Sequence, residues 1–416
     1  MSTTHLVPGL LNFGNACFLN SVLQSLASLK KFVRYLKEIQ TPTHQPCFSA
    51  TLLSCLDGLK DGRTGYRTAQ EVYDGIVNKV PQFKGNDQQD AQEVCSAMMN
   101  LVESDRDLIK GQKPVTFVEL PSQKKINKSR YQMPELMLRT VPNVSVGGGL
   151  EQLLTVPAIL PKYFSKLPMR GAICSTLRCA ICNTAKSPEI SSFHDISLPF
   201  PQHEDSCGMN PSWRNFGMNG TGIGTGVPSF NLQDCLREFS RKEVVEGVKC
   251  DFCTEVKRSS KGQMNLLNGS NGFESRHGPA LKKFYKRLTL TRMPPVLCLH
   301  LCRRQFNASQ NRFVKLNHQV SFPFVLSNKE LSCCCQSDQI LSSNCHYVLC
   351  AVIVHIGSAE SGHYVAYRKI SGGKWVFASD TQVRSASEDE VQRSNAYMLF
   401  YEMNKIFEAR GIVNGK

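Results

Sequence analysis

A chain of 416 residues, 41% hydrophobic and 20% charged, can bury a sizeable core and has the make-up of an ordinary globular protein. Its 18 cysteines follow no basic-then-apolar leader, which argues against a secreted disulfide framework and for a reducing compartment where thiols serve metal binding and catalysis. No apolar run reaches the roughly 18 residues of a membrane span, and the net charge of +15 is scattered rather than interleaved with aromatic residues, so no nucleic-acid partner is expected.

Taken in chain order, the first hundred residues carry helical periodicity. Phe18, Val22, Leu23 and Leu26 repeat on one face of an amphipathic helix, and Leu52, Leu53, Leu56 and Leu59 line another. A further helix is expected from near Asp87 through Val102. The stretch Pro121–Asn143 is basic, polar and proline-bearing and reads as a loop or insertion. Between Leu167 and Phe284 lie two Cys-x-x-Cys pairs around Gly-, Asn- and Ser-rich material, with flexible excursions expected at Gly208–Pro228 and Ser259–Gly278. From Arg287 the pattern turns to strands: Leu288–Thr291, Val296–Leu301, Val314–Phe322, His346–His355, His363–Arg368, Lys374–Phe377 and Ala396–Tyr401. Between them Leu326–Asn344, with its cysteine triplet, reads as a mobile insertion. Helices, then a cysteine-rich β region, then a mostly antiparallel sheet make an α+β fold.

The chemistry concentrates at four places. In Gly9–Gln24, the turn at Gly14-Asn15 delivers Cys17 to the first turn of a helix, where the backbone dipole favours a thiolate. The Asn12 amide, with the Cys17 N–H, could hold an oxyanion. Far along the chain, His363 opens a strand behind a Gly/Ser-rich turn, suiting a base that takes the thiol proton and returns it to a leaving amine. Asp380 is the default orienter of that imidazole because its carboxylate stabilises the imidazolium; Ser379 could accept the Nδ1 hydrogen bond without bringing charge. Cys179, Cys182, Cys250 and Cys253 have the knuckle spacing of one structural, closed four-thiolate Zn²⁺ site. Finally, Asp90, Gln92 and Glu93 sit at a helix start, with Asp90 and Glu93 expected to share a face as an acidic patch for an arginine-bearing tail.

Gly9–Gln24, Gln88–Glu93, the two knuckles, Leu288–Leu301 and Tyr347–Tyr401 together resemble the ubiquitin-specific proteases over residues 7–402. The resemblance implies a papain-like hand forming a single catalytic domain: a helical thumb at about 7–120, zinc-bearing β fingers at about 165–285 and an antiparallel β palm at about 286–402, followed by a tail at 403–416. It implies a cysteine deubiquitinase cutting isopeptide bonds after the last glycine of ubiquitin, with ubiquitin and ubiquitinated proteins as partners and Asp90, Gln92 and Glu93 reading the ubiquitin tail. Most of the family places Asp or Asn where this chain has Ser379. Serine there, with the opening Leu6–Asn15, resembles a mitochondrial outer-membrane member and implies a Cys17–His363–Ser379 triad, a role opposing mitophagy, and chains joined through the first lysine of ubiquitin. Membrane attachment is expected only through an anchor this chain lacks. Two rival readings, a catalytically weak ubiquitin-binding scaffold and a zinc-ribbon nucleic-acid binder, leave the paired Cys and His segments underused.

Overall fold

The computed structural model describes residues 7–39, 47–60, 62, 65–85, 87–109, 167–201, 229–253, 281–335 and 345–405. The expected insertions at Pro121–Asn143, Gly208–Pro228 and Ser259–Gly278 lie outside them. Five helices come first: α1 (Cys17–Ala27), α2 (Lys30–Glu38), α3 (Phe48–Gly58), α4 (Gln70–Lys79) and α5 (Ala91–Ile109), with the short strands β1 (Gly9–Leu10) and β2 (Tyr66–Arg67) pairing in parallel beside them.

Helix α1 differs from the amphipathic expectation. Cys17 through Leu26 are all buried, the polar residues included. Most of those polar groups find partners inside the fold. Ser21 and Ser25 bond back to carbonyls of their own helix, Asn20 donates to Leu11 O at 3.2 Å, and Gln24 donates to Pro8 O while accepting from the buried Arg368. The polar stripe of α1 therefore glues the helix to the N-terminal segment and to the sheet. Helix α5 begins at Ala91 rather than near Asp87, because Asp90 Oδ1 accepts from Gln92 N at 2.7 Å and ends the preceding loop.

Then come β3 (Gly171–Cys179), β4 (Glu189–Phe193), β5 (Ile196–Leu198), β6 (Ser229–Asn231), α6 (Leu232–Phe239), β7 (Glu243–Lys249), β8 (Leu281–Arg292) and β9 (Val296–Leu301). The remaining elements are β10 (Arg304–Asn307), β11 (Arg312–Lys315), β12 (Gln319–Ser321), β13 (Val325–Ser327), α7 (Asn328–Leu331), β14 (Cys345–Gly357), β15 (Gly362–Lys369), β16 (Trp375–Ser379), β17 (Gln382–Ala386), α8 (Glu388–Arg393) and β18 (Ala396–Lys405). Two sheets matter most. One has the order β4-β3-β8-β7. The other, of eight strands, has the order β17-β16-β15-β14-β18-β9-β5, with β13 also on β14. In the larger sheet only β5–β9 is parallel, so the antiparallel expectation holds.

The larger sheet is covered on both faces. Ala351, Ile353, Met398 and Phe400 pack toward α1 and its neighbours, whereas Leu349, Val352, Leu399 and Tyr401 pack into a second core with Leu232 and Leu236 of α6. Strand β14 keeps both cores filled through a bulge between Leu349 and Ala351, which shifts the residues facing the second core from odd (Tyr347, Leu349) to even (Val352, Val354) and leaves Ala351 and Ile353 to the first. Two expected strands change form. Leu288–Thr291 is part of the 12-residue β8, and Val314–Phe322 splits into β11 and β12. The expectation of a mobile Leu326–Asn344 fails over its first half: Leu331 and Cys334 are buried, and Cys334 O accepts from Leu290 N at 2.7 Å, so this segment plugs the second core. Among the described residues no helix is long and apolar enough to cross a membrane.

Candidate active site

Helix α1 and strand β15 bring Cys17 beside the His363 segment. Cys17 is buried, with the backbone N–H groups of Tyr364 and Phe18 and the Gln88 amide as hydrogen-bond donors around its sulfur. The helix-start environment does not leave the thiol with the low pKa expected from sequence. Burial raises it, outweighing those donors, and the nearby Asp380 carboxylate adds to the rise. A buried thiol of this kind gains reactivity from a neighbouring base, since the charged pair replaces an isolated buried anion.

His363 is the second residue of β15. Its Nε2 lies 2.8 Å from Ser379 Oγ at the end of β16 and 4.0 Å from Asp380 Oδ2. The sequence expectation had Ser379 on Nδ1; the fold presents Nε2 to it and leaves Nδ1 for other partners. Hairpin pairing explains the meeting, because β15 and β16 run antiparallel with Ala366 opposite Ala378, so the start of one strand returns to the end of the other.

Asp380 is not hydrogen-bonded to the imidazole. Its carboxylate is occupied by two amides, Asn12 Nδ2 on Oδ2 and Asn20 Nδ2 on Oδ1, each at 2.8 Å. Its backbone is in the left-handed region at φ 51°, and its carbonyl accepts from Leu10 N at 2.9 Å. The close approach of β1 depends on Gly9, where a Cβ would lie 2.6 Å from Thr381 O. Asn12 is in turn fixed at both ends, its Oδ1 accepting from Ala16 N at 3.0 Å. One Nδ2 hydrogen goes to Asp380 and the other stays available for an oxyanion.

The expected acidic patch does not form. Asp90 lies in the loop before α5, where its Oδ2 accepts from Tyr397 OH, and it lines a cleft of about 110 Å³ with Arg303, Arg304, Lys315 and His355. Gln92 donates to Asp195 at 2.9 Å. Glu93 is exposed on a separate groove of about 350 Å³ with Val80, Gln82 and Ser104. Asp90 and Glu93 part because Asp90 precedes the helix, so the three-residue helical spacing does not apply to it.

The four cysteines come together at the far end of the smaller sheet. Cys179 ends β3 and Cys250 follows β7, and both strands flank β8, with Cys179 opposite Phe284 and Lys249 opposite Leu281. The strand order alone therefore closes the long sequence gap. Cys182 and Cys250 sulfurs are 3.5 Å apart and Cys179 and Cys253 sulfurs 3.9 Å, and all four lie within 4.8 Å of one another. Tetrahedral zinc with Zn–S bonds of about 2.3 Å sets its sulfurs roughly 3.8 Å apart, so the donor set fits.

Gln88 escaped the sequence reading as a site residue. Its amide donates to Cys17 Sγ at 3.7 Å and pairs with the backbone of Gly362. Only its place in the Gln-rich segment before α5 hinted at it.

The family model described as Ubiquitin carboxyl-terminal hydrolase matches residues 8–401. The Xenopus tropicalis protein named Ubiquitin carboxyl-terminal hydrolase 30 is 26% identical, with 95% of this chain and 81% of that protein covered. The Arabidopsis thaliana Ubiquitin carboxyl-terminal hydrolase 27 is likewise 26% identical, covering 95% of this chain and 85% of the relative. Among solved structures, the SAGA Ubp8/Sgf11/Sus1/Sgf73 DUB module bound to ubiquitin aldehyde aligns with a TM-score of 0.59 at 21% identity, over 98% of this chain and 71% of that one.

Proposed function

Because the chain belongs to the ubiquitin carboxyl-terminal hydrolase family, and is by that membership a cysteine-type deubiquitinase, we propose that the seam between α1 and β15 cuts the isopeptide bond after the last glycine of ubiquitin. The observation that carries the reading is the contact of His363 Nε2 with Ser379 Oγ at 2.8 Å, in a segment packed directly on the buried Cys17.

Cys17 gives its proton to His363, and the thiolate attacks the glycine carbonyl carbon. The resulting oxyanion is met by the free N–H of Asn12 and by the backbone N–H of Cys17. The C–N bond then breaks as the imidazolium returns its proton to the departing lysine amine. A water, deprotonated by the same imidazole, attacks the thioester; the C–S bond breaks, leaving free ubiquitin carboxylate and the restored thiol. While the imidazole is charged, its Nε2–H donates to Ser379 Oγ, which orients the ring but adds no counter-charge. Asp380 acts mainly through Asn12 and Asn20, holding the oxyanion amide and α1 in place.

Cys179, Cys182, Cys250 and Cys253 would hold one structural Zn²⁺, which closes the end of the smaller sheet and takes no part in hydrolysis. Ubiquitin as partner is supported by the family match and by the ubiquitin aldehyde bound in the Ubp8 module. Serine at 379 and the likeness to Ubiquitin carboxyl-terminal hydrolase 30 extend the proposal to substrates at the mitochondrial outer membrane, to opposing mitophagy and to chains joined through the first lysine of ubiquitin.

Intact-mass measurement after incubation with ubiquitin bearing a C-terminal electrophile tests the core reading. One ubiquitin is expected on the parent chain and none on Cys17→Ala. Absence of labelling on a folded parent chain would leave only a ubiquitin-binding scaffold.

A further inference from the structure

The side chain of Gln88 makes three polar contacts and uses every hydrogen-bonding group it has. Its Oε1 accepts from Gly362 N at 2.8 Å, its Nε2 donates to Gly362 O, and the same Nε2 donates to Cys17 Sγ at 3.7 Å. The first two contacts form a closed amide-to-peptide pair of the kind that joins neighbouring strands. Gly362 is the residue immediately before His363 and has no room for a side chain: a Cβ there would lie 2.3 Å from Ile356 O and 2.4 Å from His355 Nε2. One amide, anchored just before α5, thus grips the nucleophile and the backbone next to the base.

Resting on the Cys–His hydrolase reading above, we propose that Gln88 is a further positioning residue of the catalytic centre, fixing the His363 turn relative to Cys17 and donating a hydrogen bond to the thiolate. The nucleophile and base come from α1 and β15, elements distant in sequence, and a shift of about 1 Å between reacting groups can cost a hundredfold in rate. A primary amide suits the place because it offers two donors and one acceptor. A carboxylate would keep the bond from Gly362 N but would turn the contacts with Gly362 O and the sulfur repulsive. The charged or titratable groups that act on Cys17 are Asp380 beyond β16 and Tyr364 from β15, with His363 next to Tyr364 on the same strand and near Asp380, so an added carboxylate at 88 would join a site that already holds one anion.

Gln88→Glu and the near-isosteric Gln88→Met are compared with the parent chain for ubiquitin cleavage, for ubiquitin binding in a Cys17→Ala background, and for the pH profile of Cys17 alkylation by iodoacetamide. Both variants are expected to lose on the order of a hundredfold in kcat with ubiquitin affinity little changed. Gln88→Glu should in addition move the alkylation profile to higher pH. If Gln88→Glu does not fold, the neutral Gln88→Met still reports the rate loss. Unchanged kcat with an unmoved alkylation profile, or a loss confined to ubiquitin affinity, overturns the proposal. A parent chain that takes up no ubiquitin electrophile defeats the hydrolase reading instead, so the two failures are distinguishable.

Discussion

The proposed catalytic seam and the four-cysteine end of the smaller sheet are both assembled from distant segments, but different forces hold them. At the seam, Cys17 and its helix are buried among Leu19, Leu23, Met98 and Phe400, and each polar contact is braced by a second one. At the cysteine end, the apolar cluster is small, centred on Cys179, Cys250 and Phe284, while Ile181 and Phe252 are exposed at the knuckle tips. Strand β7 is mostly exposed there too. Burial can hold the seam without help, whereas among the described residues the cysteine end has little apolar area, and the proposed metal would fix its geometry. A side chain removed from the seam should therefore cost rate, and one removed from the cysteine end should cost stability.

The sharpest break of that contrast is His363→Ala, expected to lower kcat by roughly 10²–10⁴-fold with the melting temperature close to that of the parent chain, measured by ubiquitin cleavage and calorimetry. A melting temperature that fell with the rate would make the seam structural as well. Next, Cys250→Ser should release the metal and destabilise the chain by several kcal/mol, read as a loss of one zinc per chain by elemental analysis and an early unfolding step. Cleavage by molecules still folded should persist. Ser379→Ala removes the hydrogen bond that the charged imidazole donates from Nε2, of about 1.5–3 kcal/mol, so a fall in kcat of roughly 10–100-fold is expected. If Ser379→Ala leaves the rate untouched while Asp380→Asn abolishes it, the imidazole is oriented by the carboxylate after all.

A smaller, pH-dependent effect sharpens the account of the palm-side cleft. Burial lowers His300 to about 4, and it lowers His355, beside Tyr364, to about 4 as well. In the unfolded chain both take up a proton near pH 6.5. Protons therefore bind the unfolded state preferentially between those values, and the stability present above about pH 6.5 is lost as pH falls toward 4. For His300 the loss is about 3 kcal/mol at the acid end. His300→Gln should flatten the decline of melting temperature between pH 7 and pH 4; an unchanged slope would place the acid sensitivity elsewhere.

Much of the fold is legible in the residues. The period of Phe18, Val22, Leu23 and Leu26 marks α1, and the apolar runs around Val296–Leu301 and Ala396–Tyr401 mark central strands. Periodicity does not reveal that the polar face of α1 is buried as well, since Asn20 and Gln24 become acceptable inside only when Asp380, Pro8 and Arg368 arrive from elsewhere. Nor does it reveal the packed Cys334, whose partner Leu290 lies far away on β8.

Local chemistry in the sequence determined the kinds of groups present: a thiol at a helix start, an imidazole at a strand mouth, two thiol pairs on tight turns. Residue type and near-neighbour spacing are properties of the chain itself. Tertiary structure alone decided which ring nitrogen meets Ser379, that Asp380 serves two asparagines, that Asp90 and Glu93 face different cavities, and that Gln88 joins the two halves of the seam. Those assignments depend on distances across strand pairings and helix packing, and desolvation at the buried sulfur exists only once the surrounding chain has closed around it.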